Sequence, residues 1–322
     1  MIEDPVLLND WHPIARSIDV PEGAILPVRL LGEDLIAWRV HGAVKVWQDL
    51  CIHRGTKLSL GRLQGDLLEC AYHGWTYDQS GGCVKMPAHP EQKPPQKARV
   101  RTYSSTERYG LVWACLGKPG RDVPEFEEWG ADSFRKVPCG PYRYRASGPR
   151  AVENFLDVAH LPFVHGGILG ERAHAEIQDY EVTVSEEGIV ARDVRIWQPD
   201  PDGTGVGKDV NYTYKVLRPL TMYLTKASVE GNFSIFAAVC PADEFESVAW
   251  FWIAMDYGQE IPEGEIIARQ DEITGQDIPV VESQRPERLP LDLQSELHLR
   301  SDRIAVAYRK WLRSLGLSFG TA

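Results

Sequence analysis

What this 322-residue chain lacks narrows its function before any motif is considered. Cysteine is scarce: Cys51, Cys70, Cys83, Cys115, Cys139 and Cys240 are spread too thinly to form the disulfide lattice of a small secreted domain. Basic charge is also short. With 35 Lys and Arg against 46 Asp and Glu, the formal net charge is -11 and the pI is near 5.4, which argues against broad attraction to nucleic-acid phosphates or anionic membranes. No apolar run approaches the roughly 20 residues of a membrane helix, and the opening stretch "MIEDPVLLNDWHPIARS" resembles neither a secretory signal nor a transit peptide. These absences lead us to expect a cytoplasmic protein with neither nucleic acid nor membrane as partner. A Gly-x-Gly-x-x-Gly or flavin signature is missing as well, and no internal repeat is visible.

What is present reads as two domains, since roughly 150 residues make one. From 25 to 118 short alternating runs are broken by turns such as His41-Gly42 and Gly81-Gly82, the pattern of an all-β module. The stretch "GKPGRDVPEFEEWG", residues 117–130, is rich in Pro, Gly and charge and marks the boundary, giving domains at 1–118 and 119–322. Beyond it, a helix is expected from about 150 to 160, with Val152, Phe155, Leu156 and Ala159 on its apolar face and an end enforced by Pro162. Long alternating runs from 176 to 256 predict a large antiparallel sheet, and two helical tracts close the chain.

The first chemical signal lies in "CIHRGTKLSLGRLQGDLLECAYHGW", residues 51–75. Cys51 and His53 stand two apart, Cys70 and His73 three apart, and sixteen residues separate the pairs. Two Cys and two His suit a zinc tetrahedron, but a usual finger takes both thiolates from one segment and both imidazoles from the other. Here each segment supplies one of each. That split is what a Rieske [2Fe–2S] centre requires, with one iron on two thiolates and the other on two imidazoles. Neutral imidazoles in place of two thiolates raise the potential to about -150 to +300 mV, against about -400 mV for an all-Cys cluster of the plant type. Gly55 and Gly74 fit tight loops in which backbone N–H groups approach the sulfurs.

"CIHRG" with "CAYHGW" resembles the Rieske motif of the Rieske non-haem iron oxygenases, including the Arg-Gly after the first His and the Gly-Trp after the second. Respiratory-chain Rieske proteins carry a further Cys in each loop, and no such pair is present here. About 200 residues follow residue 118 and should hold the electron acceptor. Within "ENFLDVAHLPFVH", Asn154, Asp157 and His160 are spaced by three, as on one helix face, and His165 lies five further on, past Pro162. By themselves two such histidines are usually satisfied polar groups at a helix end. The segment, however, resembles the Asn-x-x-Asp-x-x-His-x-x-x-x-His of the same oxygenases, in which both His bind a mononuclear iron. Two His and a carboxylate on one face leave positions open for O₂ and substrate.

For that carboxylate the sequence offers Asp271, Asp277 and Asp302. The piece Gln276-Asp277, followed by an apolar run and Glu282, resembles the family's third-ligand helix and favours Asp277, with Asp271 second. Asp302 follows Ser301 at a helix start, where capping explains an acid. The resemblance further implies that Asp157 lies between His73 of one subunit and His160 of the next, so that electrons cross between subunits of a homotrimer, and that Asn154 sits near the iron. At this length, and in its ending, the chain looks like the α-only, homotrimeric hydroxylases and O- and N-demethylases, including the dicamba, vanillate and saxitoxin-pathway types. The fold implied is α+β, an N-terminal β Rieske domain followed by a helix-grip catalytic domain with a central antiparallel sheet covered by helices.

The implied activity is a terminal monooxygenase. It takes electrons from NAD(P)H through a separate flavin- or ferredoxin-type reductase and uses O₂ to hydroxylate or demethylate a small aromatic or alkaloid-like molecule. Two alternatives stay open: a Rieske electron carrier with a non-catalytic second domain, and a ring-cis-dihydroxylating dioxygenase α subunit. The aromatic residues Tyr212, Tyr214, Tyr223, Phe233, Phe236, Trp250 and Phe251 read as core, with a few expected to line a pocket that alternation alone does not identify.

Overall fold

A computed structural model describes residues 4–201, 204–227 and 231–322. The chain divides into two compact units after Val123. The first holds a six-stranded antiparallel sheet in the order His12–Arg16, Leu111–Cys115, Thr102–Arg108, Ala43–Gln48, Glu33–Val40, Ile25–Leu30. A smaller antiparallel sheet follows the order Arg62–Gln64, Leu67–Glu69, Thr76–Tyr77, Cys83–Lys85. Ile36, Trp38, Trp47, Leu58, Leu68 and Tyr77 share one buried core, with the Trp38 and Trp47 rings edge to face at 4.9 Å. This core anchors both cysteine loops. Cys51 follows the strand ending at Gln48, and Cys70 lies between two short strands of the smaller sheet.

The second unit is built on a seven-stranded antiparallel sheet in the order Arg135–Tyr144, Glu246–Met255, Asn232–Asp243, Thr221–Ala227, Lys208–Arg218, Gly188–Gln198, Glu181–Ser185. Its first strand was not evident from sequence, because Gly140 and Pro141 break the alternation. The register accommodates them with an irregularity between Cys139 and Tyr142. Helix Gly148–Leu156 packs on strands Asn232–Asp243 and Glu246–Met255, and helix Glu263–Ser283 packs on Arg135–Tyr144. Helix Arg303–Leu315 packs on the first helix and on the opposite end of the sheet. Arg150, Glu153, Glu296 and Arg309 tie these parts together: Arg309 Nε donates to Glu153 at 2.5 Å and Arg150 Nη2 to Glu296 at 2.7 Å. Arg150 and Arg309 are buried, so each charge depends on its partners.

One local expectation changes. The helix begins as the sequence implies, with Ser147 capping Arg150 N–H and Pro149 in the first turn, but it stops at Leu156, short of 160. Asp157 turns extended and accepts Ala159 N–H at 2.8 Å, an Asx-type turn that reverses the chain. Pro162 then lies in the first turn of a new short helix, Leu161–Val164, where its missing N–H costs nothing. Among the described residues no helix is long and apolar enough to cross a membrane.

Candidate metal centres

The two cysteine loops repeat one backbone design. In the first, Gly55 N–H donates to Cys51 O at 2.9 Å and Cys51 N–H to Thr56 O at 2.8 Å; in the second, Gly74 N–H donates to Cys70 O at 3.0 Å and Cys70 N–H to Trp75 O at 2.8 Å. Both turns need positive φ, +70° at Gly55 and +68° at Gly74, which explains glycine at both positions. The result brings the His53 and His73 rings to 4.5 Å, with His53 stacked on Trp75 at 4.4 Å. Cys51 and Cys70 are buried beneath, and the Tyr77 hydroxyl is 3.1 Å from Cys51 Sγ. Burial pushes the Cys70 thiol up and the neighbouring Cys51 pushes it further, while the Tyr72 and His73 backbone N–H groups act the other way. The buried Cys70 thiol resists becoming a thiolate unless a cation compensates it. His53 is pushed down by burial and then by His73 and Arg54, which keeps its imidazole neutral and available as a ligand. Both features fit a Rieske cluster.

The second group joins distant parts of the catalytic unit. His160 Nε2, His165 Nε2 and Asp277 Oδ1 lie 3.2, 3.0 and 3.4 Å apart for the His–His, His165–Asp and His160–Asp pairs. Ligand atoms at about 2.1 Å from one ion, at angles of about 90–110°, are themselves about 3.0–3.4 Å apart. His165 is buried, and its Nδ1–H donates to Gln276 Oε1 at 2.7 Å. That bond fixes the tautomer and leaves the Nε2 lone pair facing the other two side chains. Gln276 was visible in the sequence only as the neighbour of Asp277; its service to His165 across more than 100 residues carries no local signal. Asn154 Nδ2 donates to Asp277 Oδ1 at 3.4 Å. His160 Nδ1 is 3.7 Å from Asp157 Oδ2, too long for a hydrogen bond, so charge alone links that pair.

The field at this site favours positive charge. Burial alone would lower His160, yet Asp157 and Asp277 outweigh it and raise the imidazole to about 9. Asp277 stays below the usual carboxylate range although burial opposes it, because His160 and His165 flank it. A divalent iron satisfies the same field with the donor set present. The two other candidate acids are engaged elsewhere: Asp271 accepts the Tyr142 hydroxyl at 2.7 Å, and Asp302 accepts Leu299 N–H at 2.7 Å in a capping contact.

The three side chains open into a cavity of about 170 Å³, below the roughly 300–1,000 Å³ of pockets for drug-sized ligands. Phe155, Tyr212, Tyr214, Phe233 and Phe251 wall it, while Tyr223, Phe236 and Trp250 do not. Tyr144, on the strand that the sequence did not reveal, also lines it.

Residues 10–104 match the Rieske [2Fe-2S] domain family, and residues 144–317 match the vanillate O-demethylase oxygenase C-terminal domain family. Methylxanthine N1-demethylase NdmA of Pseudomonas putida is 30% identical over 97% of this chain and 90% of its own. The structure of NdmA with caffeine superimposes with a TM-score of 0.83, covering 96% of this chain and 90% of that one. Oxidoreductase NdmD of Pseudomonas putida is 43% identical over 114 residues, 35% of this chain and 19% of its own. Dicamba monooxygenase bound to dicamba shares the fold at a TM-score of 0.79 and 23% identity, covering 96% of this chain and 97% of its own. Sequence and fold agree across both units, and the chain belongs to the Rieske non-haem iron oxygenases with a catalytic domain of the vanillate O-demethylase type, oxidoreductases that consume molecular oxygen.

Proposed function

We propose that this chain is a terminal oxygenase that hydroxylates or oxidatively demethylates a small aromatic or alkaloid-like molecule. Residues 1–118 serve as the electron-storing domain and 119–322 as the catalytic domain. Cys51, His53, Cys70 and His73 hold the [2Fe–2S] cluster, and His160, His165 and Asp277 hold the mononuclear iron. The observation that carries the reading is the convergence of His160, His165 and Asp277 at the wall of a small aromatic-lined cavity. When bound, the cluster supplies single electrons and the iron activates O₂. The protein's own residues then do the rest. Gln276 orients His165, Asn154 steadies Asp277, and the apolar rings exclude water while seating the substrate beside the three ligands.

Electrons originate from NAD(P)H and arrive through a separate oxidoreductase, here proposed to be of flavin or ferredoxin type. The chain works as a homotrimer in which the cluster of one subunit feeds the iron of the next through Asp157. Two features support this route. His73 is exposed at the tip of its loop beside Tyr72, 64% exposed, and Ile52, 47% exposed, a composition suited to protein contact. Asp157 remains 42% accessible while facing His160, in a recess that Leu297 and His298 also line.

Metal analysis tests the reading. The holoprotein should carry two irons with the cluster's visible absorption and one further iron that His165→Ala removes. An electron carrier would hold the cluster alone, a zinc protein would show neither absorption nor iron, and a cis-diol product would favour the dihydroxylating alternative.

A further inference from the structure

The cavity's sheet wall is ordered in cross-strand rows. Tyr214, Leu224 and Ile235 are paired neighbours in one row, and Tyr212, Lys226 and Phe233 in the next, farther from Phe251. Beside that outer row stands Gln198, on strand Gly188–Gln198, 2% exposed, whose Nε2–H donates to the Tyr212 hydroxyl at 2.7 Å. Gln198 and Tyr212 both line the cavity, and beside their mutual bond they leave polar functions without a partner among the described residues: Gln198 Oε1 as acceptor, and the second Gln198 Nε2–H and the Tyr212 hydroxyl proton as donors. A buried polar group without a partner is costly, so a pair lining a cavity points to a ligand that satisfies it. Burial pushes the Tyr212 hydroxyl up, so the proton is retained at neutral pH. The adjacent Lys226 is already engaged, donating to Pro201 O at 2.9 Å over the Phe233 ring.

We propose that Gln198 and Tyr212 form a substrate-reading pair, acceptor beside donor, that selects a neutral flat ring bearing a lactam edge, –NH–C(=O)–, with its N–H donating to Gln198 Oε1 and its carbonyl accepting from Tyr212. This rests on the oxygenase reading above and adds a substrate class to it. It assigns the sheet wall to orientation, so that the edge of the ring opposite the lactam faces His160, His165 and Asp277. A carboxylate would instead leave the Gln198 acceptor facing an anion.

The test is anaerobic calorimetric titration of the holoenzyme with two matched pairs, theobromine against caffeine and 2-pyridone against N-methyl-2-pyridone, each differing by N–H or N–CH₃ beside a carbonyl. The N–H member of each pair should bind at least about tenfold tighter, the usual worth of one buried hydrogen bond. Gln198→Met should bring that ratio close to one. Tyr212→Phe should weaken all four probes while leaving 1-methylindole, which has no carbonyl, unaffected, and it decides the matter if Gln198→Met does not fold. Any of these results overturns the proposal: an unchanged ratio in Gln198→Met, equal weakening of 1-methylindole in Tyr212→Phe, or a benzoate anion binding more tightly than any lactam through Lys226. Absence of binding by all four probes to protein with full cluster and iron content also overturns it. Failure of the oxygenase reading would appear separately, as a missing third iron.

Discussion

The proposed cluster site takes four side chains from the 23 residues Cys51 to His73, whereas the proposed iron site combines His160 and His165 with Asp277, more than 100 residues away. In the first region the backbone makes the geometry: two turns with the same hydrogen-bond pattern and a positive-φ glycine each present one Cys and one His. In the second, packing makes it. Helix Gly148–Leu156 must lie on the sheet and beside helix Glu263–Ser283 before His165, Gln276 and Asp277 meet. A local design should fail by losing its cofactor alone, and a long-range design should fail when its supports are disturbed at a distance.

The sharpest way to break that comparison is to remove one ligand from each centre. Cys70→Ser should abolish the visible absorption of the cluster while iron remains at the second centre, and Asp277→Ala should do the reverse; both should reduce turnover by at least about 10³-fold, read by substrate-dependent O₂ uptake and metal analysis. Loss of both metals in either variant would show that the two regions do not fold independently. Asp157→Ala comes next: both metals should stay and turnover should fall by about 100-fold or more, measured under single turnover with the cluster reduced beforehand. Unchanged turnover would refute the bridging role.

A support far from the ligands gives the third effect. Glu153→Ala leaves Arg309 and Arg150 short of a carboxylate in a buried network, at a cost of about 3–5 kcal/mol. Thermal unfolding should show the catalytic unit melting earlier while the cluster absorption holds its midpoint. Gln276→Leu should be milder, weakening iron affinity by about 10–100-fold because His165 loses its tautomer lock, which a chelator competition would report. The smallest effect separates the two cluster loops from each other. An added methyl at Gly74 meets Pro87 Cγ at 3.0 Å, whereas at Gly55 it meets Leu50 Cδ1 at 3.7 Å. Gly74→Ala should therefore destabilise the cluster more than Gly55→Ala, by on the order of 1 kcal/mol in denaturant titration.

Legibility followed the same divide. The paired Cys-x-His and Cys-x-x-His were readable because each loop sets its own geometry within a few residues. His160 and His165 were readable as a spaced pair, but the helix thought to carry His160 ends at Leu156, since the Asx turn at Asp157 competes successfully with one more helical turn. Strand Arg135–Tyr144 is not legible in the sequence because its Pro and Gly belong to an edge with an irregular register. Which aromatic residues face the cavity also stayed hidden. Alternation puts Tyr212 and Tyr214 on one face of their strand and separates Phe233 from Phe236 on theirs, but which face lies inward, and that Tyr223 lies on the other one, depends on the register between strands.

From the amino-acid order alone come two domains, a cluster motif whose proposed ligands share one short segment, and a spaced histidine pair, because each is encoded by spacing that the local backbone converts directly into geometry. Only the tertiary structure brought Asp277 beside His160 and His165 while engaging Asp271 and Asp302 elsewhere, brought Gln276 to His165, and placed Gln198 and Tyr212 at the cavity. Those choices depend on which sheet face the helices cover, and burial of apolar surface across the whole unit decides that, not any run of neighbouring residues.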